Sequence, residues 1–326
     1  MVKYTMETKE QILKILKNEG KVTASVLSSK LGISDRYIRK MLSELLLDNK
    51  VEKTGTPPIV YYFIVSKESK NVTPSVKKVI NDNYLYVSSA GEYYEGLTGF
   101  VKWCEKTNQD VSKTAKEYVE TIKKYIKYKD SKTGLINGMS KLKSTYSTIY
   151  LDKVFYIDFY SIERFGKTKL GQILLYAKQS QDLNLIKKAV EMIRPSLEKV
   201  IVDENIDGIC YVPPTVKRQV QLMEESKKLL GFKISDVSID KVKTEIIVPQ
   251  KTLSKVSDRV ANAEKTFVVT ENRIYNNILI IDDAVGSGAT LNEIAKKIRE
   301  KEICKGKIIG VAMTGSFKGF DVISEI

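Results

Sequence analysis

Ile278-Leu279-Ile280-Ile281-Asp282-Asp283-Ala284-Val285-Gly286-Ser287-Gly288-Ala289-Thr290 is the stretch on which the reading of this chain turns. Four consecutive apolar residues predict a strand buried on both faces. Two adjacent carboxylates stand at its tip. A run of small residues follows, and the spacing from Leu291 to Lys301 predicts a helix. Glycines allow backbone N–H groups to converge on one anion, and a helix N-terminus adds its dipole there. Ser287 and Thr290 add hydroxyl donors. Asp282 and Asp283 repel a phosphate, but they suit the hydroxyls of a sugar carried on it, or a Mg²⁺ ion. A phosphorylated ribose meets all these demands together.

Working outward, residues 151–326 alternate between the two periodicities. Strands are expected at Val154–Phe159, Ile206–Val212, Glu245–Val248, Asn277–Ile281 and Lys307–Met313. Helices are expected at Leu170–Tyr176, Leu183–Ile193, Lys217–Leu230 and Leu291–Lys301. Such alternation predicts an α/β domain with a parallel sheet, which binds ligands at the carboxyl ends of its strands.

The 278–290 stretch resembles the phosphoribosyl pyrophosphate (PRPP) signature of type I phosphoribosyltransferases, through Asp282, Asp283, Ser287, Gly288 and Thr290. The resemblance implies that Asp282 and Asp283 hold the ribose 2′ and 3′ hydroxyls. It also implies that Ala284, Val285, Gly286, Ser287, Gly288, Ala289 and Thr290 cradle the 5′-phosphate. The reading of the residues leaves a plain nucleotide-monophosphate or anion site open. Asp207 to Arg218 resembles the pyrophosphate loop of the competence-protein F (ComF) branch, with Pro213 and Pro214 followed by Lys217 and Arg218 as a cationic clamp. Gln250 to Phe267 resembles that branch's hood, with Ser254, Arg259 and Asn262 as closing contacts. Gly171 to Asp182, with Lys178, is similar to its Lys-containing stretch. The likeness spans about residues 155–315. The chain departs from the branch in lacking a four-cysteine zinc ribbon. Gly286 also stands where some purine transferases place an acidic base. The resemblance implies Mg²⁺ as a companion of PRPP rather than a protein-held metal, and it assigns no catalytic residue.

Residues 1–68 form a second pattern. Ile12, Leu13, Ile15 and Leu16 give a helical stripe over Thr8–Asn18. Thr23 is placed to cap a second helix, and Gly32 sits at a tight turn. Ser34 is placed to cap a third helix whose buried side carries Ile38, Met41, Leu42, Leu45 and Leu46. Val51–Lys53, a turn at Thr54–Pro58 and Ile59–Val65 then read as a hairpin. This order resembles the winged-helix superfamily of transcription regulators. Arg36, Tyr37, Arg39 and Lys40 are the expected major-groove residues, with wing residues Lys53 and Thr56 beside the backbone. Residues 1–70 hold 13 Lys and Arg against 8 Asp and Glu. Winged helices also dock proteins, so both partners stay open. One such module buries little DNA surface, which predicts a homodimer.

Residues 69–150 are expected to be a mostly helical connecting subdomain: a linker over Lys70–Ser75, a loop over Gly91–Gly99, and helices at Phe100–Cys104 and Ala115–Tyr128. Tyr93, Tyr94 and Trp103 read as packing residues.

Composition sets the outer limits. The chain has 326 residues, 42% of them hydrophobic, which is enough for two cores. It contains three cysteines, far apart, and no histidine. Ser-His-Asp chemistry, Cys-His pairs and the usual zinc sites are thereby excluded. No apolar run reaches the roughly 18 residues of a membrane span, and residues 1–10 do not read as a signal peptide, so a cytoplasmic location is expected. A net charge of +14 favours polyanionic partners. Two functions from different classes follow as expectations. One is a transcriptional regulator sensing PRPP or a related nucleotide. The other is a phosphoribosyltransferase that transfers ribose-5-phosphate from PRPP to a nucleobase-like acceptor with release of pyrophosphate.

Overall fold

A computed structural model describes residues 2–48, 50–54, 58–64, 72–214, 216, 218–242, 253 and 255–316. The chain is an α/β protein in two compact units, residues 1–119 and 120–326. The division lies within the stretch that sequence treats as one connecting segment.

The first unit opens with α1 (Val2–Glu19), β1 (Val22–Thr23), α2 (Ala24–Leu31) and α3 (Asp35–Leu47). The Thr23 hydroxyl accepts from the Val26 N–H and starts α2. Gly32 ends that helix at φ 64°, a left-handed conformation that glycine adopts without a Cβ penalty. Ser34 then caps α3 by accepting from the Tyr37 N–H. Ile12, Leu16, Leu27, Ile38, Met41, Leu42 and Leu45 close a core among the three helices. Strands β2 (Val51–Thr54) and β3 (Tyr61–Ile64) pair antiparallel, and β1 adds to the far side of β3 through Val22 and Tyr62. That third strand is too short to be visible as a pattern.

Next come α4 (Pro74–Asn83), β4 (Leu85–Val87), β5 (Tyr93–Glu95), α5 (Gly96–Lys106) and α6 (Val111–Ile126). The expected loop over Gly91–Gly99 is corrected here. Tyr93–Glu95 pair antiparallel with Leu85–Val87, because short tyrosine-rich runs satisfy their backbone on one another. Tyr84, Phe100, Trp103 and Tyr118 pack ring on ring, so Trp103 acts as a packing residue.

The second unit contains β6 (Ile136–Asn137), α7 (Met139–Thr145), β7 (Lys153–Phe159), α8 (Lys169–Ser180) and α9 (Leu183–Asp203). It continues with β8 (Gly208–Tyr211), α10 (Leu222–Leu230), β9 (Ser235–Asp236), β10 (Ile239–Lys241), α11 (Val256–Thr266) and β11 (Phe267–Val269). It ends with β12 (Ile278–Val285), α12 (Ala289–Glu300) and β13 (Ile308–Gly315). Six strands form one sheet in the order β6-β7-β13-β12-β8-β9, parallel except for the edge strand β6. β10 and β11 make a separate antiparallel pair. Ile278, Leu279, Ile280 and Ile281 are fully buried at the centre. Each such side chain contributes roughly 1.5–3 kcal/mol relative to exposure.

Two expected helix boundaries shift. The helix from Leu183 continues past Pro195 to Asp203, since burial of Leu197 and Val200 offsets the missing N–H. The helix expected from Lys217 begins only at Leu222. The Val220 N–H is instead held by the Gln181 side chain at 2.8 Å. The expected strand at Glu245–Val248 lies outside the described residues. No described helix is long and apolar enough to cross a membrane.

Candidate functional site

The central strand does not stop at Ile281 as its apolar run suggests. β12 pairs with β8 only as far as Ile281 opposite Tyr211, but with β13 up to Val285 opposite Gly315. Its last four residues therefore extend past one neighbour while the other still holds them. Asp282 and Asp283 sit on this extension, half-buried, at the carboxyl side of the sheet. Parallel sheets present ligand crevices at this end of their strands.

Successive side chains on a strand face opposite ways, and two lysines approach the acid pair. Lys178, in the last turn of α8, forms an ion pair with Asp283. Lys241, at the end of β10, lies within electrostatic reach of Asp282, and the Cys210 thiol feels Asp282 from β8. Burial pushes the Asp282 carboxyl well above the usual carboxylate range. Asp283 pushes it further, while Lys178 and Lys241 oppose the rise. Burial also lowers the Lys241 ammonium to about 8, against the pull of Asp282. The Asp283 N–H donates to Asp282 Oδ1 at 2.8 Å, which orients the first carboxylate.

Beyond the acids, Ala284 and Val285 finish the strand, and Gly286–Gly288 form the turn into α12. Gly288 has φ 80° and cannot cap the helix with a side chain. A Cβ there would lie 3.0 Å from Leu142 of α7. The Ala289 N–H reaches Ser287 Oγ at 3.3 Å. Thr290 is half-buried in the first turn of α12. The sequence suggested an anion nest here, and the structure places a glycine-lined turn directly before the N-terminus of α12.

Two residues outside the motif close on this turn. Arg259, on α11 and only 6% exposed, donates through Nε to the Leu253 carbonyl at 2.7 Å. Its guanidinium would stand 3.4 Å from a Cβ built on Gly286. The phenol of Tyr146 faces Ser287 and Arg259. Burial raises its pKa, and both neighbours counter that rise. The following strap is fixed to α12, because Asn292 accepts from the Tyr150 N–H at 2.9 Å and donates to the Thr148 carbonyl at 3.2 Å. Tyr146 and Lys241 carry no sequence signal. Both stand outside the motif and approach it only through the fold.

The other expected residues are placed as follows. Pro213 and Pro214 follow β8 after Val212, whose N–H donates to the Ile281 carbonyl at 2.9 Å, so this loop starts beside the acid pair. Arg218 is half-buried in the same loop, with its carbonyl accepting from the Gln221 side chain. Lys217 lies outside the described residues, as do Ser254 and Thr56. Asn262 shares α11 with Arg259, so these two expected hood residues stand on a helix. In the first unit Arg36, Arg39 and Lys40 are exposed on α3, Tyr37 is half-buried, and Lys53 is exposed on β2. Among the described residues no cluster of three or more His, Cys, Asp or Glu side chains could hold a metal. Two carboxylates alone fit an ion that arrives with its own phosphate oxygens. Compared with known family models and with curated proteins, the chain matches none.

Proposed function

We propose that the chain is a DNA-binding regulator whose second unit binds PRPP or a related ribose-5-phosphate nucleotide as effector. The observation that carries this reading is the continuous path from Asp282 and Asp283, through Gly286–Gly288, to the N-terminus of α12. Hydroxyls of a ribose would meet the carboxylates, and its 5′-phosphate would meet the turn amides and Arg259. Mg²⁺ would enter with the diphosphate of the ligand. The order α2, Gly32, α3 and the three-stranded antiparallel sheet support a winged helix, with α3 as the groove-entering helix. An effector acts in such a protein by binding one DNA-competent arrangement better than another.

The test is calorimetric titration of the full chain with PRPP and Mg²⁺, alongside the Asp282→Ala/Asp283→Ala double variant. Saturable binding by the unmodified chain, weakened at least about tenfold in the variant, is expected from the loss of charged hydrogen bonds. Equal affinities would remove the reading. Duplex binding measured with and without PRPP then tests the regulatory half.

Transfer of ribose-5-phosphate to a nucleobase-like acceptor is the second reading, and the cations favour it. Lys178, Lys241 and Arg259 stand around the acids and the turn, where charge on departing pyrophosphate would be met. The C1′–O bond to pyrophosphate would break, a C1′–N bond would form, and the acceptor would lose a proton. Pyrophosphate release in the presence of a nucleobase panel separates this reading from pure sensing.

A further inference from the structure

We propose that Arg39 is the base-reading residue of α3, held by Asp35 for end-on pairing with the O6 and N7 edge of a guanine in the major groove. The inference rests on the DNA-binding reading of the first unit and adds the base that this unit selects.

α3 buries Ile38, Met41, Leu42 and Leu45, which leaves Arg36, Arg39 and Lys40 exposed. One of these cations differs from its neighbour on the preceding turn. Arg39 Nε donates to Asp35 Oδ2 at 2.6 Å, one helical turn back, whereas Arg36 makes no ion pair among the described residues. Three consequences follow. With Nε committed to Asp35, the free donors of Arg39 are its two Nη groups, whose spacing matches the paired acceptors of guanine. Fixing a long side chain from one turn below also removes much of its rotamer freedom before DNA arrives, so less is lost on pairing. Finally, Asp35 cancels the charge of Arg39 locally. A neutral pair releases few counterions and makes a poor phosphate contact, while an unpaired Arg36 makes a good one. Asp35 also lies in the first turn of α3, where the helix dipole favours a carboxylate and holds the buttress in place.

The experiment is selection of the full chain on a duplex pool with a randomised core, followed by salt titration of the enriched duplex. The unmodified chain is expected to enrich guanine at one position per half-site. Arg39→Ala should erase that preference and weaken the enriched duplex roughly 5- to 150-fold, the range of one good bidentate base contact. The slope of log affinity against log salt should barely change. Arg39→Lys keeps the charge and loses the fork, so it should keep a weaker guanine preference than the unmodified chain while still binding unselected duplex. Arg36→Ala should instead lower the salt slope by about one and leave the selected sequence intact. If Arg39→Ala weakens all duplexes equally, lowers the slope by about one and keeps the guanine, Arg39 is a phosphate contact and the inference is overturned. An undiminished guanine preference in Arg39→Lys overturns it as well. If the unmodified chain binds no duplex at all, the DNA-binding reading falls and takes the inference with it.

Discussion

Lys178 and Asp283 form an ion pair that joins the last turn of α8 to the carboxyl end of β12. Both side chains are about three-quarters buried. The pair sits beside a second carboxylate, so removing the lysine leaves two adjacent acids with less compensation. Lys178→Ala should destabilise the chain by about 1–3 kcal/mol, chiefly from the uncompensated charge. A double-mutant cycle with Asp283→Asn in urea denaturation should recover a coupling of roughly 0.5–3 kcal/mol. Additive single effects would mean that the contact carries no energy.

Asp282 makes stability depend on pH. Its carboxyl is pushed up to about 7 in the folded chain by burial and by Asp283, against an ordinary value of 3.8. The folded state therefore holds a proton that the unfolded state has released. The stability tied to that proton is complete below about pH 4 and is lost as pH rises through about 7. Asp282→Asn removes the titration. Its melting temperature should match the unmodified chain at or below about pH 4, pull ahead as pH rises, and exceed it at pH 8 by an amount on the order of 10 °C. A constant gap across that range would show that the carboxyl titrates normally.

Gly288 combines a left-handed backbone with a close neighbour. Its φ is 80°, and an added Cβ would meet Leu142 at 3.0 Å. Gly288→Ala should cost about 1–3 kcal/mol, part backbone strain and part contact. Adding Leu142→Ala creates a cavity but relieves the contact, so the double variant should lose less than the two single losses combined. Chemical denaturation of the four proteins reads both effects, and strict additivity would place Leu142 away from the turn.

Asn292 ties the Thr148–Tyr150 strap to α12 with two hydrogen bonds while only 7% exposed. Asn292→Ala removes two part-buried hydrogen bonds to the Tyr150 N–H and the Thr148 carbonyl, a loss of roughly 0.5–1.5 kcal/mol for each. Amide exchange at Tyr150 should accelerate in the variant even where global stability is held equal by lower denaturant. Unchanged exchange there would mean that the bond to Asn292 does not protect the strap.

Much of the framework was legible from residue order alone. Thr23, Gly32 and Ser34 announced the ends of α2 and α3, because caps and left-handed turns depend on local chemistry. The run Ile278–Ile281 announced the central strand for a similar reason, since a strand buried on both faces must be apolar throughout. The end of β12 was not legible. Asp282 to Val285 continue the strand because β13 supplies hydrogen-bond partners, and a partner 30 residues away in sequence leaves no local pattern.

The same division holds for the candidate site. Residue order by itself determined the acid pair, the small-residue turn and the helix start, since all three are consecutive and each answers to backbone geometry within a few residues. The tertiary structure decided where cations stand around them, and it alone brought in Lys241. Lys178 arrives from α8, Lys241 from β10 and Arg259 from α11, each more than 20 residues from Asp282 along the chain. Electrostatic interaction depends on distance through space, and for residues this far apart in sequence only the packed sheet sets that distance.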